Sequence, residues 1–330
     1  MRSKIYILLL VATALLTAHF GAQAQTDAQF SQYYEMPSYY NPAAIGRTDF
    51  INIRGGARLQ WIGVDHAPKS FFVTGDMPLK LFGKRFGVGL VMGQESIGLF
   101  RNMNLNAQVA YKFRKFGGEF TVGLGLGMYD QNFKGSETIL PDDDDFHQGT
   151  DQGIPTQDLH GTAFDLQAGI WYTHKYFWAG VSATHLTSPT VTLNSDTGDG
   201  GASGENIFEF KAGRPLYFMA GGNIPIKNTL FEMMPSVLVK SDFTFTTAEI
   251  TARARYKKLF SFGVGSRWND AVTATLALEI KNFYVGYAYD YPVSSIAKAS
   301  SGSHELVAGY RLKLDLGDKN KHRHKAIRIM

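Results

Sequence analysis

Apolar and polar side chains alternate in segments spread over most of this chain, and this period of two limits its possible folds more than any other feature. In residues 120–128, one face carries only large apolar side chains, whereas the other carries Thr121 and three glycines. The same alternation recurs in residues 105–113, 272–280 and 306–314. Successive side chains of a strand point to opposite faces, so the pattern predicts β-strands with one apolar and one polar face.

Two all-β architectures fit such strands. In a soluble sandwich the apolar faces pack together, whereas in a membrane barrel they meet lipid and the polar faces line a lumen. Fourteen segments of about 9–13 residues can be read, an even number and a length that suits tilted membrane-crossing strands. They lie near residues 50–62, 69–79, 86–97, 103–115, 118–130, 162–174, 176–187, 215–227, 231–243, 246–257, 259–268, 271–280, 283–291 and 304–314.

The connections between these segments fall into two classes. One class is short and lies in or beside basic residues, near Lys80–Arg85, Lys115–Gly117, Lys175, Lys227–Leu230, Lys258 and Asn282. The other class includes two long connections, Gln131–Gly161 and Ser188–Arg214, and the serine-rich Pro292–Ser303. Outer-membrane barrels have short periplasmic turns and longer outer loops. We therefore predict an all-β transmembrane antiparallel barrel of about 14 strands in the outer membrane of a Gram-negative bacterium.

The same alternation of connections predicts the orientation of the barrel. Both termini should be periplasmic, with Lys115, Lys175 and Lys258 on that side and with Asp143 and Gly200 on the exterior.

The first residues are typical of a secretory signal peptide. Arg2 and Lys4 precede an apolar stretch of about a dozen residues, and Ala22-Gln23-Ala24 forms a small-residue cleavage site. A retained N-terminal anchor is the alternative. We expect residues 1–24 to be the signal peptide, 25–49 a plug or periplasmic segment, 50–314 the barrel and 315–330 a basic periplasmic tail.

The charge balance excludes nucleic acid as an expected partner. The chain of 330 residues has a net charge of +4, but Arg2, Lys4 and residues 315–330 carry the excess, and acidic residues exceed basic ones by one in the rest. The tail is either a solubilising extension or a docking strip for an acidic periplasmic surface. No cysteine is present, so a thiolate metal site and a cysteine nucleophile are excluded.

The alternation also predicts which charged side chains of the barrel strands face the lumen, because lipid-facing Arg or Lys costs roughly 2–4 kcal/mol at mid-membrane. Leu276 should face lipid and Thr275 the lumen. The side chains expected to point inward are Arg253, Arg255, Arg267, Glu279, Glu305, Arg311 and Lys313.

Several short motifs follow one another along the chain. The first are Asp27-Ala-Gln29-Phe30-Ser31-Gln32-Tyr33 and Tyr40-Asn41-Pro42-Ala43-Ala-Ile-Gly46, followed by Arg58-Leu-Gln-Trp61-Ile-Gly63, Ala67-Pro68-Lys69-Ser70 and Asp76-Met-Pro78. Near the end come Gly286-Tyr-Ala-Tyr-Asp290, Ser303-His304-Glu305-Leu306 and Gly309-Tyr-Arg311. This ordered set resembles the PorP/SprF family of outer-membrane proteins of Bacteroidota, which belong to the type IX secretion system.

The resemblance covers nearly the whole mature chain and implies a non-enzymatic outer-membrane component. Such proteins aid the secretion or surface attachment of cargo with a C-terminal sorting domain and, in some species, gliding motility. Periplasmic components of the system, including an OmpA-like peptidoglycan-binding protein, are the implied partners. The resemblance supplies no catalytic residue and no cofactor. A channel for hydrophobic small solutes, similar to the fatty-acid transporters, is the alternative function.

Four further features are candidate sites. Asp142, Asp143, Asp144 and Asp145 could bind calcium, but they lack the spacing of a calcium loop and are also explained as a solvated charge run. The scattered histidines are not accompanied by a nucleophile motif, and the alternating glycines of residues 117–127 are not followed by the helix of a phosphate loop. Asn41-Pro42-Ala43 is either a simple turn or part of a plug, into which Phe30, Tyr33, Tyr34, Tyr39 and Tyr40 could pack.

Overall fold

The structure is a computed structural model that describes residues 27–138, 155–195 and 208–314. All of its strands belong to one antiparallel sheet, which closes because β1 pairs with both β2 and β17. The strands are β1 (Phe50–Leu59), β2 (Lys69–Leu81), β3 (Lys84–Ile97), β4 (Phe100–Lys115), β5 (Gly118–Phe133), β6 (Leu159–Thr173), β7 (Phe177–Ala183), β8 (Thr190–Ser195), β9 (Phe208–Lys211), β10 (Leu216–Gly222), β11 (Ile224–Pro225), β12 (Phe231–Ser241), β13 (Thr246–Tyr256), β14 (Phe260–Arg267), β15 (Ala271–Ile280), β16 (Phe283–Pro292) and β17 (Ser303–Lys313).

These segments make a wall of fourteen strands. β7 and β8 both pair with β6, in successive stretches, and therefore continue one another along the wall. β9 pairs with β8, whereas β10 pairs with both β7 and β12, and β11 extends β10 along β12. The predicted closed antiparallel barrel of about 14 strands is confirmed, and each predicted strand lies within a few residues of an observed one.

The barrel is turned inside out relative to a soluble protein. Leu276 is 65% exposed on the outer face, whereas its neighbour Thr275 is 5% exposed and faces the lumen. Arg267 and Glu305 are almost completely buried, and large apolar side chains cover the outside of the sheet. An outer face of this kind is stable in lipid, because an apolar surface of that extent would not be left in water.

The predicted inward-facing charges follow the strand alternation. Arg253, Arg267 and Glu305 are buried, and Arg255, Glu279 and Arg311 are partly exposed where they line a cavity. Lys313 is exposed at the end of β17.

No helix within the three described ranges is long and apolar enough to cross a membrane.

Short turns cluster at the end of the barrel where β1 begins and β17 ends, which we call the termini end. The β2–β3 turn consists of Phe82 and Gly83, and the β4–β5 turn consists of Phe116 and Gly117. All four residues have a positive φ, which is the conformation of the type I′ turns that suit the twist of two-residue hairpins. The long connections lie at the opposite end, as predicted.

The hydrophobic core of the protein lies inside the barrel. Residues 27–46 run through the lumen and form a 3-10 helix (Tyr33–Glu35), a single turn of α-helix, α1 (Pro37–Tyr40), and a second 3-10 helix (Pro42–Ala44). Further 3-10 helices are Gly135–Glu137 and Ser295–Lys298. The five aromatics Phe30, Tyr33, Tyr34, Tyr39 and Tyr40 are buried against inward-facing apolar side chains, among them Phe72, Trp171, Tyr217 and Val307.

The β8–β9 hairpin folds over the lumen at the opposite end. Tyr129 points inward from β5, and its ring stacks on that of Phe210 in β9 at 6.1 Å. A second small core surrounds this pair and includes Leu159, Val191 and Leu193. The sequence predicts β8 and β9 only as part of the connection Ser188–Arg214, because strands of six and four residues give too short an alternation to recognise.

The alternation can be tested with a pair of substitutions at nearly the same depth. Leu276 is directly opposite Phe262, and the neighbouring lumen-facing position, Ser261, lines the cavity at the termini end. We expect Leu276→Glu to destabilise the barrel by roughly 2 kcal/mol and Ser261→Glu by clearly less, since only the first places a charge in lipid, whereas the second places a carboxylate directly opposite Arg255. Urea unfolding of the reconstituted barrel measures both. Equal losses would contradict the assignment of the two faces.

Candidate functional site

Five buried charged side chains converge inside the lumen towards the opposite end. They come from separate strands, namely Arg58 (β1), Glu249 (β13), Arg267 (β14), Asp290 (β16) and Glu305 (β17), and we call them the charge cluster. Arg58 contacts Asp290 at 2.7 Å and Glu305 at 3.3 Å, and Arg267 contacts Glu249 at 3.0 Å and Asp290 at 3.3 Å. The three carboxylates exceed the two guanidinium groups by one charge.

The N-terminal segment supplies further hydrogen-bond donors to these carboxylates. The backbone N–H groups of Ser31 and Gln32 donate to the two oxygens of Glu305, at 2.7 and 2.8 Å. The Ser31 hydroxyl donates to Asp290 at 2.7 Å, and the Gln29 amide donates to Glu249 at 3.1 Å. Hydrogen bonds to a charged acceptor are about twice as strong as neutral ones. The Gln-Phe-Ser-Gln stretch is therefore held by the charges of the wall.

A second polar group surrounds Asp27, the first described residue. The imidazole of His185 bridges Asp27, at 2.9 Å, and Asp165, at 3.0 Å. The Tyr217 hydroxyl donates to the Asp27 carboxylate, and the Lys240 ammonium donates to its carbonyl at 2.6 Å. Burial alone would raise the pKa of Asp27, but the charge of His185 and its hydrogen bond, with help from Lys240, hold that pKa below its ordinary value. Asp27 therefore stays ionised in the lumen.

The Asn-Pro-Ala stretch is held by the backbone of β5, β6 and β7. The Asn41 amide donates to the carbonyls of Ile170 and Val181, each at 3.2 Å, and its oxygen accepts from the N–H of Ala43 at 2.8 Å. Gly123 leaves the space that this stretch occupies, because a Cβ there would overlap the backbone of Pro42 and Ala43. The turn predicted from Asn and Pro is present, and it is packed against the wall.

The last part of the segment is fixed near the termini end. The N–H of Gly46 donates to Asp76 at 2.7 Å, and the Lys112 ammonium donates to the carbonyl of Gly46. Gly46 has a φ of +57°, and a Cβ there would approach Gly87 to 2.8 Å. A side chain at this position would thus be strained both by conformation and by space.

The residues singled out by sequence are only partly brought together. Gln29, Phe30, Ser31, Gln32, Tyr33, Asn41, Pro42, Ala43 and Glu305 meet inside the lumen, where burial raises the pKa of Tyr33 to about 12. Trp61 and Pro68 line a cavity of about 570 Å³ at the opposite end. Gly63, Ala67, Lys69 and His304 lie apart from both, and His304 contacts the Tyr287 hydroxyl at 2.6 Å on the outer face.

The acidic run of Asp142, Asp143, Asp144 and Asp145 lies outside the described residues. Within the part of the chain that the structure describes, no group of His, Asp and Glu side chains could hold a metal ion. Each carboxylate of the charge cluster faces a guanidinium group, and the site contains no serine or threonine positioned by a histidine as a nucleophile. The carboxylates of the charge cluster thus bind the N-terminal segment through hydrogen bonds.

Sequence reasoning missed the partners of the segment rather than the segment itself. No motif contains the partners Asp165, His185, Tyr217 and Lys240. His185 was one of the scattered histidines to which no role was assigned. Arg58 and Asp290 belong to two of the ordered family motifs but were not identified as inward-facing charges. Strand parity could have found both, because Asp290 is two residues from inward-facing Ala288 and Arg58 is four from Arg54.

The fold and its lumen define a class, the outer-membrane β-barrels with a chain segment inside. The family model described as "Type IX secretion system membrane protein PorP/SprF" matches residues 22–310, and the chain belongs to this family. The predicted family is therefore confirmed, and with it the role as an outer-membrane component of type IX secretion.

No curated protein matches the sequence. Among solved structures, the toluene transporter TbuX of Ralstonia pickettii is 11% identical with a TM-score of 0.49, and the match covers 90% of this chain and 97% of that one. A FadL homologue of Pseudomonas aeruginosa is 9% identical with a TM-score of 0.45, covering 83% and 93%. Similarity at this level carries no information about the function of the present chain.

The charge cluster predicts a large loss of stability on removal of one guanidinium group. Arg58→Met leaves Asp290 and Glu305 buried with one cation fewer, so we expect it to cost about 3–5 kcal/mol. Arg85→Met is the matched control, because Arg85 is half exposed and 3.9 Å from Asp49, a pair worth less than about 1 kcal/mol. Urea unfolding measures both variants, and equal effects would contradict the role of the cluster.

The space at Gly123 predicts how the N-terminal segment can be displaced. Gly123→Ala should push Pro42 and Ala43 out of place and open residues 27–47 to protease, with cleavage at Arg47 or the tyrosines. Gly125→Ala is the control on the same strand and face, because its Cβ would approach only side-chain atoms of Gln167, to 3.2 Å, and not the backbone of the segment. Mass spectrometry of limited digests decides, and a segment that stays resistant in Gly123→Ala would count against the packing described.

Proposed function

We propose that this barrel aids the secretion or surface attachment of proteins with a C-terminal sorting domain, without catalysing a reaction. The observation that supports this most directly is the lumen itself, which holds residues 27–46 of the same chain, tied to the wall by buried charges. A barrel filled in this way acts through its ends and loops. The long connections at the opposite end and the turns at the termini end are then the working surfaces.

In this proposal, residues 25–49 are a plug and the N- and C-termini lie on the periplasmic side. The exposed basic residues at the termini end, including Lys115, Lys175 and Lys258, suit contact with acidic periplasmic proteins. An OmpA-like peptidoglycan-binding component is the partner that the family resemblance implies. Cargo would bind at the exterior, and in an organism that glides the same surface role would extend to motility.

A channel for hydrophobic small solutes remains the second candidate. Its support is the cavity of about 570 Å³ at the opposite end, into which the apolar side chains of Trp61, Ile97 and Phe100 project beside Phe210. A volume of this size is typical of small-molecule sites. A route through the lumen would require residues 27–46 to move.

Orientation can be tested with two exposed phenylalanines in matched turns, since the native chain has no cysteine. Phe116 and Phe243 are 76% and 78% exposed, at the termini end and the opposite end respectively. We expect an impermeant thiol reagent to label Phe243→Cys but not Phe116→Cys on intact cells, and both after lysis. Labelling of Phe116→Cys alone would reverse the proposed orientation.

Deletion of the gene tests the secretion role. We expect one or a few sorting-domain proteins to disappear from the medium or cell surface while other exported proteins remain, as measured by quantitative proteomics. The wild-type gene should restore them, and a copy with the loop Ser188–Arg214 shortened within residues 196–207, between β8 and β9, should assemble as a folded barrel without restoring them. An unchanged exported proteome together with lost uptake of a hydrophobic nutrient would establish the channel instead.

A further inference from the structure

Basic side chains outnumber acidic ones by six to three in the lining of a cavity of about 430 Å³ at the termini end. We call it the basic cavity, and its cationic side chains are Arg47, Arg54, Lys175, Arg253, Arg255 and Arg311. Only three carboxylates line it, those of Glu35, Asp76 and Glu279. The cavity reaches the β6–β7 turn through His174, Lys175 and Tyr176, so it opens towards the end of the barrel.

The carboxylates present are too few to pair every guanidinium group. Glu35 is shared by Arg54, at 3.7 Å, and Arg253, at 3.3 Å. Glu279 is likewise shared by Arg255, at 3.8 Å, and Arg311, and Arg255 is also paired with Glu232 of β12. Asp76 instead accepts hydrogen bonds from the N–H of Gly46 and the amide of Asn52. The cavity therefore retains an excess of positive charge in partly buried surroundings, where an anion is favoured.

Two of these arginines have donors without an acceptor. The side chains of Arg54 and Arg253 are about nine-tenths buried, and the Nε–H group of each has no hydrogen-bond partner. Arg47, within the described ranges, has no carboxylate at ion-pair distance, and its guanidinium lies 5.0 Å from the Trp171 ring. An unsatisfied buried donor costs about 1–3 kcal/mol, so these groups suit a ligand with acceptor oxygens.

Aromatic rings lie against two of the arginines that line the basic cavity. The guanidinium of Arg253 lies 3.2 Å from the centroid of Tyr34, and that of Arg54 lies 5.1 Å from Tyr284. A guanidinium carries its N–H donors at the edge of its plane, and this planar fork can bind a carboxylate in two parallel hydrogen bonds. The pairs that already exist in the cavity are all with carboxylates. These features favour carboxylate as the ligand group.

Positive charge continues from the basic cavity to the rim. Lys175 lines the cavity, and the exposed Lys227, Lys257 and Lys258 belong to neighbouring turns at the same end. A single small acid would occupy the cavity alone, whereas a chain of carboxylates would also meet the rim. We propose that the basic cavity binds an acidic segment of a polypeptide that enters from the termini end. This proposal stands independently of a role in secretion.

Binding of a labelled hexaglutamate peptide to the purified full-length barrel in detergent tests this proposal. Fluorescence anisotropy at low salt should show saturable binding of hexaglutamate and none of hexaglutamine. Arg47→Gln should weaken it at least about tenfold, the smallest effect expected for hydrogen bonds to a charged group. Arg85→Gln, an equal charge change on an exposed arginine at the same end, should weaken it less than twofold. Arg311→Gln is the second cavity variant if Arg47→Gln fails to give heat-resistant folded barrel.

The outcomes separate the sources of the anion. Equal weakening by Arg47→Gln and Arg85→Gln would show attraction to the surface in general and overturn the proposal. Competition by citrate or inorganic phosphate as strong as by unlabelled hexaglutamate, at equal ionic strength, would show a small-anion site and overturn it as well. Because no cell or cargo is involved, a normal exported proteome in the deletion strain would leave this result unaffected.

Discussion

The carboxylate of Glu305 joins the barrel wall to the chain inside it. A strand in lipid has no water for its backbone, so the sheet must close, and closure places every second side chain in a lumen. At Glu305 that side chain is fully buried, and it accepts two backbone hydrogen bonds from Ser31 and Gln32 besides the ion pair with Arg58. Without the segment, the excess carboxylate of the charge cluster would lack these donors. The wall and the segment therefore stabilise each other.

The strand pattern was predictable because it is local. Two neighbours such as Thr275 and Leu276 already reveal which face meets lipid, and the lipid environment makes the rule nearly free of exceptions. Strand boundaries were less certain, and the β8–β9 hairpin was missed because its strands of six and four residues give too short an alternation.

The partners inside the lumen could not be predicted in the same way. Asp27 and His185 are 158 residues apart in sequence, and Arg58 and Asp290 are 232 apart. Which inward-facing residues meet depends on strand order, tilt and the path of residues 27–46, none of which is encoded by the alternation. The ordered motifs carried the family resemblance. They did not show that Ser31 and Glu305 are in contact, or that His304, the residue before Glu305, faces outward.

The strength of these contacts bears on which function the lumen can serve. Conduction through the barrel would require the segment to leave the charge cluster. The segment contacts the charge cluster through hydrogen bonds to its carboxylates, and a hydrogen bond to a charged group contributes about 1.5–3 kcal/mol. Because each 1.4 kcal/mol lowers the population of the open state about tenfold, the loss of one such bond would leave roughly one molecule in ten to one in a hundred open, and the segment is also held at Asp27, Asn41 and Gly46. Together these contacts disfavour spontaneous opening, and a partner that replaced them would lower its cost. They therefore favour the proposed binding of proteins at the two ends of the barrel over passive transport through it.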